Sequence, residues 1–347
     1  MEPRTNGSNP HGQTLEPLVP TKAKSLYLES RSEELADRSL ELHEKHVGSF
    51  VEWLTEKEAE ESNMNDVTAR TVHEYRLHIK DGLAQSTLSI YVSTIRQFVE
   101  FCESIDAVAG GVSEKIVLPD RDRNARTETL EEEDATAILT YLRKYHYASR
   151  THALMALLWH TGIRTGTAQA LDVSDLNDEK DRLRVRHRPQ TETPLKNQEN
   201  AERYVALSTE VSEILADYVA TNRHDVTDEH DRKPLFTTKR GRPAKNSIRR
   251  NIYAATRPCE TGQGCPHDKD PDTCKAAQRT NDASKCSSTV SGHPVRRGAI
   301  THHLRKDVPE KVVSDRMNVS QDVLDEHYDR RTEDEKTEQR RKFLSNI

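Results

Sequence analysis

The sequence predicts a mainly helical protein of two domains, the second an α+β domain carrying a small β-hairpin sheet. Three observations predict it. Apolar residues recur at helical spacing through most of the chain. A charged stretch bearing Gly and Pro, residues 107–124, interrupts that pattern. One alternating segment, between Arg182 and Ser208, has the two-residue period of strands. At 347 residues the chain can bury two separate cores. With only 33% hydrophobic and 32% charged residues, those cores must be small and the surfaces heavily solvated.

Taken in order, residues 1–24 are rich in Pro, Gly, Asn and Thr without an apolar period and read as a flexible tail. Residues 25–112 read as a small helical domain. Val47, Phe50, Val51 and Leu54 form one stripe; Leu88, Tyr91, Val92, Ile95, Phe98, Val99 and Cys102 form another. Gly110, Gly111 and Pro119 then mark residues 113–125 as a linker. The second domain, 126–347, opens at Thr129, where Thr-Leu-Glu-Glu has the form of a capping box ahead of Ile138, Leu139 and Leu142. A helix from about Thr151 to His160 carries Leu154, Leu157 and Leu158, and Gly162 suits a left-handed cap behind it. Leu183 and Val185, then Tyr204, Val205 and Leu207, flank a polar middle with Lys196 near the hairpin tip. A Cys-rich insert spans about 256–290, and helices resume at Arg296.

The longest apolar run, Ala153 to Trp159, is far short of a membrane span, and no apolar signal region opens the chain, so a cytoplasmic protein is expected. The net charge of -6 hides a local excess of the other sign. Arg232, Lys233, Lys239, Arg240, Arg242, Lys245, Arg249, Arg250 and Arg257 follow one another with no Asp or Glu among them. Of these Lys239, Arg240, Arg242, Lys245, Arg249 and Arg250, together with Arg297, are the candidates for contacting nucleic acid phosphates. Arg240-Gly-Arg-Pro243 also resembles the core of an AT-hook. Cys259, Cys265, Cys274 and Cys286 crowd into the insert with His267 among them. Without a secretion signal, thiolates holding a structural zinc are favoured over disulfides, with His267 able to replace one cysteine. No Cys-x-x-Cys knuckle is present, so zinc and free thiols both stay open.

Phosphoryl transfer without a metal asks for a nucleophile, guanidinium groups for the developing charge and a proton donor for the leaving oxygen. Paired arginines suit the charge because guanidinium is planar and bidentate toward phosphate; Arg164 and Arg296 are the candidate pair. Thr161-Gly-Ile-Arg164 resembles the first box of the tyrosine recombinase, or phage integrase, family. His293-Pro-Val-Arg296 resembles its His-x-x-Arg box, and Tyr328 follows Arg296 at the interval usual for the family's nucleophile.

The resemblance implies a two-domain DNA clamp, a helical core-binding domain plus a catalytic domain, acting on double-stranded DNA as a homotetramer on two sites. It implies that Tyr328 attacks the scissile phosphate to form a 3'-phosphotyrosyl link, with Lys196 as general acid and His293 orienting or deprotonating groups around the phosphate. No cofactor is required for that chemistry. It implies too that a C-terminal segment, here Thr332 to Ile347, reaches a neighbouring protomer. The chain departs from the family where Leu-Gly-His or Leu-Gly-Trp is usual: it reads Met317-Asn318-Val319, and valine's side chain donates no hydrogen bond. Asn318 or His327 is the candidate substitute. Two rival readings share these residues: a DNA-binding protein that has lost strand exchange, and a monomeric relaxing enzyme of the type IB topoisomerase kind.

Overall fold

The structure, a computed structural model, describes residues 14–58, 62–119, 128–329 and 331–344, and of Glu58, His327 and residues 342–344 the backbone alone. It divides into two compact units, Met1–Ala125 and Arg126–Ile347. No helix among the described residues is long and apolar enough to cross a membrane.

The first unit contains α1 (Pro20–Ser32), α2 (Asp37–Glu58), α3 (Ala69–Ile79) and α4 (Gln85–Ser104). Pro20 opens α1, where its fixed φ and missing N–H cost nothing. Residues 20–24, expected in the tail, are therefore helical, and Ala23 is buried. The stripes read from the sequence in α2 and α4 are buried and meet Tyr27 and Tyr75 in one core. Val112 and Ile116 belong to that core, so the expected linker begins as packed chain; residues 120–127 lie outside the described residues.

The second unit is built around α6 (Arg150–Thr161), whose residues from Ala153 to Trp159 are all buried. A helix apolar on every side belongs at a centre. α5 (Glu132–Tyr145), α8 (Thr209–Asp217), α9 (Lys245–Ala255) and α11 (Gly292–Arg305) pack around it. α7 (Thr165–Ala170) leads to an antiparallel sheet in the order β1 (Leu176–Asn177), β2 (Arg182–Val185), β3 (Arg203–Ala206), with Leu183 opposite both Leu176 and Val205. The hairpin follows the alternation in the sequence; β1, two residues long, has no period to betray it.

The short α10 (Lys275–Gln278) lies in the Cys-rich insert, and α12 (Glu310–Met317), α13 (Gln321–His327) and α14 (Glu333–Leu344) complete the unit. α11 begins at Gly292, a turn before the expected Arg296. The expected capping box at Thr129 does not form: Glu131 is the N-cap and no side chain caps the helix. Tertiary contact has taken that segment, because the Leu130 N–H donates to the Pro294 carbonyl at 3.2 Å. A Cβ on Gly298 would stand 2.0 Å from the Leu130 carbonyl oxygen, so only glycine lets α11 approach so closely. α14 docks on its own unit, with Arg305 paired to Glu335 at 3.0 Å and Gln339 donating to the Leu304 carbonyl at 2.7 Å.

Candidate active site

Among the described residues Arg296 is the largest fully buried side chain, 2% exposed on the second turn of α11. Its NH1 donates to the Gly162 carbonyl at 2.6 Å and the Met317 carbonyl at 2.8 Å. Both acceptors are helix-end groups with no partner of their own, so the guanidinium ties the ends of α6 and α12 together. Gly162 makes this possible: its φ is 58°, and a Cβ there would lie 2.6 Å from Met317 Sδ. The Arg296 guanidinium carbon sits 5.4 Å from the centre of the Tyr328 ring. Burial, and then repulsion from Arg164, push Arg296 down to about 10, with Tyr328 opposing. It remains a cation at neutral pH.

Tyr328 caps the C-terminus of α13, its N–H bonded to the Leu324 carbonyl and its own carbonyl accepting from Thr301 Oγ1 at 3.0 Å. The ring packs half-buried against the cluster formed by Ile300, Leu304, Met317, Val319 and Leu324. Val319 therefore fills a core position and presents no donor. Its neighbour does the polar work. Asn318 adopts a left-handed conformation at the end of α12, the backbone setting in which asparagine most readily replaces glycine. Its Oδ1 accepts from Arg164 NH1 at 3.3 Å and from Asn197 Nδ2 at 2.6 Å, while its Nδ2 donates to the Asn200 carbonyl at 3.0 Å. One amide thus joins Arg164, the N-cap of α7, to the β2–β3 connection. The side chain of His327 lies outside the described residues.

Lys196 stands exposed in that connection, beside Asn197. Leu195 anchors it, buried with Ala170, Val185, Ala201 and Val205 and donating its N–H to His187 Nδ1 at 3.0 Å. His293 lies in the first turn of α11. Its pKa is held below the usual histidine value, chiefly by partial desolvation and then by the charges of Arg296, Arg297, Lys196 and Arg164. The charges of both sequence boxes and of the hairpin lysine therefore all act on one imidazole.

Two further arginines escaped the sequence reading: Arg203, whose charge acts on the pocket's Arg296 and Arg164, and Arg316, to whose carbonyl Arg203 is bonded. Arg203, on β3, donates its Nε to the Arg316 carbonyl at 2.8 Å; Arg316 donates to the Ala206 carbonyl at 2.7 Å and the His160 carbonyl at 3.2 Å. Burial, followed by repulsion from Arg296, Arg164 and Arg316, pushes Arg203 down to about 10. The available signal was its register, since Arg203 shares the inward face of β3 with buried Val205. Among the described residues none of Arg164, Arg203, Arg296 and Arg316 pairs with a carboxylate; their partners are carbonyl and amide oxygens. Like charges gathered without counterions destabilise a fold and create a preorganised site for an anion.

The remaining arginines show what a compensated site looks like. Arg242, expected on the phosphate-contacting face, pairs with Asp172 at 2.5 Å and Asp228 at 2.8 Å, so its charge is compensated. Arg232 also pairs with Asp172, and Arg257 is buried on carbonyls of the Cys-rich insert. With Arg242 consumed, the AT-hook likeness fails: its acidic partners lie far away in the sequence. Lys239, Arg240, Lys245, Arg249 and Arg250 are exposed, and Arg297 donates to the Glu128 carbonyl at 2.7 Å. The cysteines Cys259, Cys265, Cys274 and Cys286 are free thiols. Among the described residues no three His, Cys, Asp or Glu side chains stand close enough to share an ion, so the expected zinc centre is not preformed.

Residues 128–334 match the profile of the phage integrase family. The tyrosine recombinase XerD of Oceanobacillus iheyensis is 23% identical over 211 residues, 60% of this chain and 67% of that protein. The tyrosine recombinase XerC of Staphylococcus carnosus is 27% identical over 145 residues, 41% of this chain and 49% of that one. Among solved structures, the Tn1549 transposon integrase in complex with a circular intermediate DNA is similar with a TM-score of 0.67 at 13% identity, covering 96% of this chain and all 100% of the other. A lambda integrase dimer bound to a core site gives 0.62 at 12%, covering 90% and 95%. These likenesses show the fold; the match over most of the second unit shows the family. With the Arg296 guanidinium set against a tyrosine ring in its second unit, the chain belongs to the phage integrase family, the tyrosine recombinases.

Proposed function

We propose that the protein cleaves and rejoins double-stranded DNA at specific sites through Tyr328. The observation that carries this reading is the Tyr328 ring lying over Arg296 in a pocket of arginines that, among the described residues, no acid neutralises. Tyr328 Oη attacks the scissile phosphorus as the bond to the 5'-oxygen breaks, leaving a 3'-phosphotyrosyl ester. Arg164 and Arg296 hold the charge that grows on the non-bridging oxygens. Lys196 gives its proton to the leaving 5'-oxygen, and His293, kept neutral by partial desolvation and then by the cations around it, takes the phenol proton. The ester conserves the bond energy, so a 5'-hydroxyl from a partner duplex reverses the step without ATP. Exchange between two duplexes cuts four strands and needs a nucleophile for each, which makes a homotetramer on two sites the working assembly. Lys239, Arg240, Lys245, Arg249 and Arg250 serve as phosphate contacts outside the pocket.

A duplex nicked near its site, from which the freed 5'-hydroxyl diffuses away, tests the proposal: an SDS-stable protein–DNA adduct is expected. DNA binding without any adduct would favour the reading in which strand exchange has been lost. Relaxation of any supercoiled plasmid by a monomer would favour the topoisomerase-like one.

Two residue-level results are expected here. Asn318→Gly keeps the left-handed backbone and removes the amide that holds Arg164 and the Lys196 loop. Loss of that bond costs about 1 kcal/mol or somewhat more in the transition state, so single-turnover cleavage should fall roughly tenfold with DNA affinity nearly unchanged. A rate within twofold of the parent would show Arg164 to be held by other means. Because the His293 pKa is depressed from 6.5, its neutral form persists through neutral pH and is lost only on acidification. The cleavage rate should decline below pH 6.5, and His293→Gln should flatten that limb. An unchanged limb in the variant would assign the titration to another group.

A further inference from the structure

The stretch from Thr256 to Ser291, between α9 and α11, is ordered with almost no apolar core. Its buried apolar side chains are Ala276 and Ala283. Fixing each residue's backbone costs about 1–2 kcal/mol, whereas burying a methyl group returns less than about 1 kcal/mol. Arg257, bonded to the carbonyls of Ala254, Ala276 and Ala277 and to the Glu260 carboxylate, supplies a polar hub, and Thr256 clasps Val290 at the neck through bonds of 3.1 and 3.3 Å. Neither replaces a core. Segments with so little to bury are usually held by cross-links.

The cross-linking groups are present. Cys259, Cys265, Cys274 and Cys286, every cysteine of the second unit, line a single cavity of about 210 Å³. Arg257, Lys269 and Lys285 line the same cavity, Lys285 also pairing with Asp282. A zinc ion on four thiolates carries a net charge of minus two, which such cations offset. The sulfurs ring the cavity without converging on one point. Binding would need the cysteine side chains to turn toward a common point, and each can change χ1 between staggered wells to reach the roughly 2.3 Å of a zinc–thiolate bond. His267 also lines the cavity, its Nε2 against Ser288 Oγ at 2.9 Å and Ser287 Oγ at 3.2 Å.

We propose that Cys259, Cys265, Cys274 and Cys286 bind one structural zinc ion as four thiolates, with His267 beside the cluster and not on the metal. Binding exchanges four thiol protons for the ion and involves no oxidation. The cluster closes the insert over the entry to α11, whose first turns carry His293 and Arg296. Cys-x-x-Cys spacing is unnecessary because the ligands come from four separate turns, with the chain reversed at Gly262 and Gly264, both at positive φ.

The full chain, purified under reducing conditions without chelators, is expected to hold about one zinc ion, measured by elemental analysis. After removal of the zinc, titration with cobalt(II) should give the visible bands of a tetrahedral site together with thiolate charge transfer. Cys259→Ser and Cys274→Ser should each lower retained metal at least tenfold, whereas Cys102→Ala, in the other unit, and His267→Ala should retain it. The cobalt titration uses the parent chain alone, so it stands even if a cysteine variant misfolds. The proposal is overturned if the parent takes up neither metal while its insert thiols react freely, or if mass measurement shows disulfides among them. Loss of metal in His267→Ala with retention in either serine variant would overturn the four-thiolate assignment.

Discussion

Tyr328→Phe is expected to bind its DNA site as tightly as the parent and to trap none of it. The substitution deletes one oxygen. The ring keeps its place against the cluster of Leu304, Met317 and Val319 and over Arg296, and the backbone bonds to Leu324 and from Thr301 are untouched. What is lost is the phenolic oxygen beside the Arg296 guanidinium, a change in stability of about 1 kcal/mol or less. Cleavage, by contrast, loses its nucleophile, and among the described residues no neighbouring phenol or thiol replaces it. Covalent adduct on the nicked duplex should drop below detection while gel-shift affinity at matched salt stays within about twofold. An adduct that forms at the parental rate would remove Tyr328 from the mechanism.

Arg296→Met should separate stability from activity even more sharply. The methionine fills similar space without charge. Leaving the Gly162 and Met317 carbonyls without their donor costs about 1–3 kcal/mol for each. Against this, the parent fold carries a buried guanidinium whose pKa is pushed down to about 10 by burial and by Arg164, a penalty on the order of a few kcal/mol that the variant escapes. The two nearly cancel, so the melting temperature should move by only a few degrees. Cleavage should fall about 10³-fold, since the lost charge acts where phosphate charge develops. Arg296→Lys should recover little, because an ammonium cannot span both carbonyls and a phosphate. A folded Arg296→Met that cleaves within tenfold of the parent would show that Arg296 ties helix ends together and does nothing more.

Local signals were legible wherever a residue's surroundings come from its own neighbours in the chain. The stripes of α2 and α4, the left-handed Gly162 behind α6 and the alternation of β2 and β3 are of this kind. Long-range competition undid the others. Thr129 has the form of a helix cap, yet Leu130 is drawn onto α11 and the helix starts on Glu131. Arg242 is one of several similar basic residues in sequence; only the return of Asp172 to its side makes it structural. Tyr328 and the two boxes were legible through resemblance, while Arg203 and Arg316 were not, lying outside any motif.

The chain by itself determined where its helices and hairpin lie and which arginines, lysine, histidine and tyrosine were candidates for chemistry, because periodicity, caps and motif spacing are written in adjacent residues. The tertiary structure alone decided which cations lack an acid. Charge compensation is a property of distance in space: Arg242 meets carboxylates from remote segments, whereas Arg164, Arg203, Arg296 and Arg316 meet oxygens that carry no full charge. That difference, invisible in composition, makes one set of arginines part of the framework and leaves the other, with Arg296 under the Tyr328 ring, with its charge unspent.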